Sequence, residues 1–142
     1  MEQKKNNKGF SLVELIVVIA IMVVLVAVLA PVFTQYVEQS RRATDVQNAN
    51  SIASSVLIDA ADGTTKFTSD PAKLTDDNLP SSIKAVPKVK ATGKWQGADF
   101  YVSYNESDNT ASVYIGNSAD DLTGDLTDEE AATAFKDKKN ED

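Results

Sequence analysis

Polar residues fill positions 1–9, after which the chain turns apolar with only Ser11 and Glu14 interrupting the change. Residues 15–33 carry no charged side chain, and as a helix they cover roughly 28 Å, close to the hydrocarbon thickness of a bilayer. This pattern predicts a membrane-spanning helix. Beyond Phe33 the apolar positions narrow to a stripe, Tyr36, Val46, Ala49, Ile52, Ala53, Val56, Leu57 and Ala60, spaced mostly by three and four. Thr34, Gln35, Gln39, Ser40, Arg41, Arg42, Asn48 and Asn50 fill much of the remaining surface, and Gly63 reads as a stop. One helix over 11–62 is expected, roughly 75 Å long. Pro31 removes an amide donor inside it, which predicts a kink or a locally melted stretch over 26–31. A simple kink and an extension during assembly are both open readings.

The pattern changes period in residues 63–142. Residues 100–104 and 111–115 alternate like half-buried strands, and 105–110 reads as the loop of a hairpin. A third strand is expected over 87–91, with Pro87 at its start or on an edge. Residues 70–74 read as a short helical turn with Pro71 first, and Thr127-Asp128-Glu129-Glu130 as a capping box opening a terminal helix through Ala131, Phe135 and Lys138. Residues 140–142 read as a frayed tail. So few large apolar side chains make a marginal core, and packing the sheet on the stripe at 46–60 is the natural remedy. The fold class is α+β, a long helix on a small antiparallel sheet.

Composition narrows the chemistry. There is no Cys and no His, so disulfides, thiolate nucleophiles, imidazole metal sites and Ser-His-Asp catalysis are excluded. A net charge of -7 and a pI near 4.5 argue against general nucleic-acid binding. No catalytic residue and no cofactor are expected. Lys4, Lys5 and Lys8 precede the apolar segment while only Arg41 and Arg42 follow closely, a bias toward a cytoplasmic amino terminus. The apolar run exceeds that of a secretory signal peptide, and Pro31 would follow its best cleavage candidate.

Glu14 is the anomaly, because a carboxylate in an apolar spanning helix needs a partner. Cleavage after Gly9 would create an α-amino group on Phe10, within helical reach of Glu14. That amine could pair within one chain or between neighbouring subunits. The run Lys8-Gly9-Phe10-Ser11-Leu12-Val13-Glu14-Leu15, a short basic leader meeting an apolar segment, resembles the type III signal of type IV pilins and pseudopilins. The resemblance implies that a prepilin peptidase cuts after Gly9 and that Phe10 is then N-methylated. It also implies that Glu14 meets a neighbouring subunit's amine during assembly and that Pro31 is the customary helix-distorting proline. On this reading residues 1–9 are a cleaved leader, 10–33 the transmembrane and assembly helix, 34–62 its amphipathic half and 63–142 a globular head. The chain would sit in the cytoplasmic membrane, partner with the pilus assembly machinery, and join copies of itself in a surface filament serving adhesion or motility. The missing Cys distinguishes it from the pilins with a carboxy-terminal disulfide loop and suggests a Gram-positive type. A pseudopilin of a secretion or DNA-uptake system is the alternative within the family; outside it, the alternative is a signal-anchored extracytoplasmic binding domain.

Three further features have bland counterparts. Asp120, Asp121, Asp125 and Asp128, with Glu129, could offer oxygen ligands to calcium, but lack EF-hand spacing and read equally as a solvated loop. Lys84, Lys88, Lys90 and Lys94 beside Trp95 could bind single-stranded DNA or an acidic surface, or simply protect a sheet edge. One such surface would be the acidic 99–142 region of the next subunit. Asn105-Glu106-Ser107 fits a glycosylation acceptor.

Overall fold

The computed structural model describes residues 9–137 of the 142-residue chain. The basic leader up to Lys8, Lys138 and the tail at 140–142 lie outside the described residues. In chain order the elements are α1 (Leu12–Ala61), β1 (Ala72–Lys73), a 3-10 turn (Gly93–Trp95), β2 (Asp99–Asn105), β3 (Thr110–Ser118), β4 (Asp121–Leu122) and α2 (Glu129–Asp137). Contacts divide the chain into a unit ending at Tyr36 and a second beginning at Val37.

In the first unit, the side chains of residues 9–36 are all exposed, the large apolar ones from Leu12 to Phe33 included. Residues 26–31 are helical throughout, which corrects the melted stretch expected there. Pro31 withholds a single amide donor, and its own carbonyl accepts the Thr34 hydroxyl at 2.9 Å.

In the second unit, Val46, Ala49, Ile52, Ala53 and Val56 form the buried stripe that the spacing predicts. Against it lie Phe100, Val102, Val113 and Ile115, all without solvent exposure, joined by Phe67, Leu74, Leu126 and Phe135. The hairpin register places Phe100 opposite Ile115 and Val102 opposite Val113, so both strands present these alternate positions to one face. Each large side chain removed from water in this way contributes about 1.5–3 kcal/mol relative to exposure. α1 stops where expected: Gly63 takes φ 70°, its N–H donates to the Ala60 carbonyl and the Thr64 N–H to that of Asp59, a Schellman closure.

The sheet runs β1-β2-β3-β4 and is antiparallel. Three local expectations fail. Residues 70–74 are not a helical turn; β1 pairs Ala72 with Val102 and Lys73 with Tyr101, and the Leu74 N–H donates to the Phe100 carbonyl. Residues 87–91 form no strand, because α1 carboxylates hold the amides that a ladder would use. At α2 the cap is Asp128, whose Oδ1 accepts the Ala131 N–H at 3.0 Å, while the Thr127 hydroxyl turns back to Asp125 at 2.7 Å. Ala131 occupies the third helical position, so no reciprocal box can form.

Both flanks of the hairpin are finished by short pieces. Beyond β2, the Tyr104 N–H donates to the Thr68 carbonyl at 2.7 Å. Beyond β3, the Ile115 N–H meets the Thr123 hydroxyl at 2.9 Å and the Val113 N–H meets Asp125 Oδ1 at 3.1 Å. The Ile115 and Val113 carbonyls accept the N–H groups of Thr123 and Leu126. The β3–β4 register shifts at Gly116 and Ser118, bringing backbone against Gly116. A methyl on Gly116 would lie 2.7 Å from the Asp121 carbonyl oxygen and 2.9 Å from that of Ser118. Gly116→Ala is expected to lower stability by about 1–3 kcal/mol, read as a reduced unfolding midpoint of the detergent-solubilised chain.

Candidate processing and assembly site

Gly9 and Phe10 precede α1 in no regular element and are exposed: among the described residues nothing lies within 4 Å of the Gly9 Cα substituent position, and Phe10 is 95% exposed. A peptidase needs such access to the bond between them. Ser11 opens the helix. Its N–H donates to Glu14 Oε2 at 2.8 Å, its hydroxyl accepts the Val13 N–H at 3.3 Å, and its carbonyl accepts the Leu15 N–H. Glu14 is thus held by a reciprocal cap at the positive end of the helix dipole, which stabilises a carboxylate in an apolar setting. Its other oxygen, Oε1, takes no partner among the described residues. The Ser-x-x-Glu spacing signals this cap in the sequence; the reading of Glu14 as a lone charge overlooked it.

Residues 4–30 match the prokaryotic N-terminal methylation motif family. Prepilin peptidase-dependent protein A of Clostridium perfringens (strain 13 / Type A) is 36% identical over 96 residues, covering 67% of this chain and 69% of that protein. The chain belongs to the type IV pilin-like prepilins. No solved structure matches it. The family points to a structural protein rather than an enzyme, and the long apolar helix fits a membrane-anchored one.

The second unit of this prepilin holds a polar network that the helical periodicity did not reveal. Arg42, expected on the polar surface, is 2% exposed, and Glu38 and Asp45 are buried with it. Arg42 Nε donates to Glu38 Oε1 at 3.0 Å and Nη1 to the Phe135 carbonyl at 3.0 Å, with the guanidinium 5.2 Å from the Phe135 ring centroid. Glu38 also accepts the Thr92 N–H at 2.9 Å and the Thr92 hydroxyl at 2.7 Å. Asp45 accepts the N–H groups of Lys90 and Ala91 at 2.7–3.0 Å, and Asp59 that of Ser81 at 2.9 Å. Positions 38, 45 and 59 are separated by multiples of seven, so they fall close together around the helix. That spacing was visible in the sequence; nothing there showed that the recipients would be backbone amides of residues 81–92.

Burial pushes the Glu38 carboxyl up, but the Thr92 N–H and hydroxyl and the Arg42 guanidinium more than reverse this, leaving it below its ordinary range. Asp45 is raised, first by burial and further by the Glu38 charge, which the Lys90 and Ala91 amides only partly offset.

The other candidates are dispersed. Asp121 pairs with Lys94 at 2.8 Å, Asp125 accepts from Val113 and Thr127, Asp128 caps α2, and Asp120 is exposed. Among the described residues no three metal-ligating side chains converge. Trp95 is buried beneath Lys94, whose Nζ lies 4.5 Å over the ring, so it offers no stacking surface. The Asn105 side chain is engaged by Ser107 and Asp108 in the hairpin loop.

The two carboxyls act oppositely on stability with pH. The lowered Glu38 contributes stability that is present above its ordinary range and lost as pH falls through the folded value; the raised Asp45 contributes stability that is lost as pH rises through its folded value. Glu38→Gln leaves Arg42 buried beside a neutral group and is expected to destabilise by about 3 kcal/mol near neutrality. The gap to the parent chain should narrow in acid, a trend that thermal melts between neutral and acidic buffers would measure.

Proposed function

We propose that this prepilin is the repeating structural subunit of a type IV pilus. Prepilin peptidase cuts it after Gly9, the new Phe10 amine is methylated, and the processed chains polymerise through their apolar helices into a surface filament of the kind used in adhesion and motility. The supporting observation is the state of Glu14. Its carboxylate is fixed by Ser11 through one oxygen, with the other open toward whatever cation a neighbouring helix brings. Cleavage after Gly9 leaves the Ser11 N–H in place, so the cap outlasts processing while a new amine appears one residue earlier. In a medium as apolar as the 15–33 segment, a charge pair of this kind sets the stagger between otherwise uniform helices.

The full exposure of the first unit supports the same reading, since lipid before assembly and like helices afterwards would cover it. Material sheared from the surface of native cells is expected to begin at methylated Phe10, by intact mass and amino-terminal sequencing. Glu14→Ala should still be cut after Gly9 and yet yield filaments reduced at least about tenfold, the effect of losing roughly 1.4 kcal/mol per contact. An intact Met1 terminus confined to membranes would instead indicate the signal-anchored binding domain, and a processed chain never found at the surface would indicate a pseudopilin.

A further inference from the structure

The second unit carries a cleft of about 580 Å³ between the end of α1 and the tip of the β2–β3 hairpin. That size falls within the roughly 300–1,000 Å³ of small-molecule sites. One side is the chain leaving α1, from Ala60 and Gly63 to Ser69, and the other is Tyr104 to Ser107. The two sides are joined where the Tyr104 N–H donates to the Thr68 carbonyl at 2.7 Å. Both are fixed from within. The Thr64 N–H and hydroxyl donate to the Asp59 carbonyl, the Tyr104 hydroxyl donates to Asn109 Oδ1 at 3.0 Å, and the Asn105 amide bonds the Ser107 N–H and Asp108. The Thr68, Ser69 and Ser107 hydroxyls and the Glu106 carboxylate, by contrast, are exposed at the cleft and take no hydrogen-bond partner among the described residues.

These groups select a chemistry. Among the described residues that line the cleft, Glu106 alone carries a charge, and the nearby Lys66 ammonium is held by the Asp77 carbonyl at 2.6 Å, so an anion meets repulsion and no cation. One carboxylate falls short of the ligand set that a metal ion requires. A peptide needs an open strand edge or apolar pockets, yet the Thr68 carbonyl is taken by Tyr104 and Phe67 is buried. What the cleft offers is hydroxyls that both donate and accept, a carboxylate able to accept from two adjacent donors, and the half-buried Tyr104 as an aromatic wall. That set matches a molecule dense in hydroxyls with apolar C–H faces. We propose that the cleft binds a neutral saccharide, with Glu106 accepting from neighbouring sugar hydroxyls and Thr68, Ser69 and Ser107 completing the polar contacts. Binding uses only groups of the second unit and is independent of how the first unit is employed.

The full chain in phosphatidylcholine nanodiscs, which bring no sugar of their own, tests this on an array of neutral, N-acetylated, amino and acidic mono- and disaccharides, with empty discs as the blank. Retention on neutral saccharides is expected. The best-retained one, titrated in solution, should bind about tenfold or more weakly to Glu106→Gln, the effect of losing a charge-assisted hydrogen bond, and not measurably to Ser69→Trp, which blocks the cleft. Both positions are exposed, so the unfolding midpoint should stay where it is in either variant. Retention on no neutral saccharide would overturn the proposal. Stronger retention on amino sugars than on their N-acetylated forms would also overturn it, making Glu106 a site for a cation, as would a preference for acidic sugars. Undiminished binding in both variants would place the saccharide elsewhere and overturn the cleft as its site.

Discussion

Backbone amides without a strand partner are the constraint around which the second unit is organised. Residues 81–92 cross the amphipathic part of α1 in no regular element, yet buried amides must be bonded. Glu38, Asp45 and Asp59 meet that need from the helix, along a line repeating every seven residues. The arrangement replaces a strand ladder with carboxylates, and it sets a condition: Glu38 is buried with its charge met by Thr92 and by Arg42, which is buried beside it. Arg42 in turn reaches the last turn of α2. A single charge pair therefore joins the long helix, the extended segment and the terminal helix, and packing of Ile52, Val56, Phe100 and Ile115 supplies the bulk of the apolar attraction around it.

The first unit follows an opposite logic. Over residues 15–33 its helix is apolar on every side, and at the entrance Ser11 and Glu14 bond one another. There the helix end already supplies Glu14 with a backbone donor. In the filament proposed above, the uniform apolar length along 15–33 would supply contact, and the carboxylate at 14 would supply position.

What could be read from the sequence divides along the same line. The long helix, its stop at Gly63, the hairpin and the apolar stripe at 46–60 all follow from periodicity and turn chemistry, which depend on neighbours in the chain. The junction of basic leader and apolar run, which falls within the matched methylation motif, was equally plain, because such a motif needs a fixed local spacing. Distant partners were not legible. Arg42 looked like a surface cation since its acceptors include the carbonyl of Phe135, far along the chain; 87–91 looked like a strand since β-propensity cannot show that Asp45 and Glu38 claim its amides. Residues 72–73 became a strand despite Pro71 because β2 offered free edge groups there.

The finish of the hairpin's two flanks has a bearing on crowding. In the filament proposed above, a subunit would live among many identical neighbours, the setting in which an open strand edge recruits another and the pairing does not come apart. Here Thr68 and Leu74 on one flank, and Thr123, Asp125 and Leu126 on the other, already answer the groups that such pairing would use. The sheet can be brought against other sheets at high density without being templated by them. Association in such a filament would then be left to interactions that can be undone one subunit at a time, and a polymer built from such parts would keep the option of being taken apart and its monomers used again.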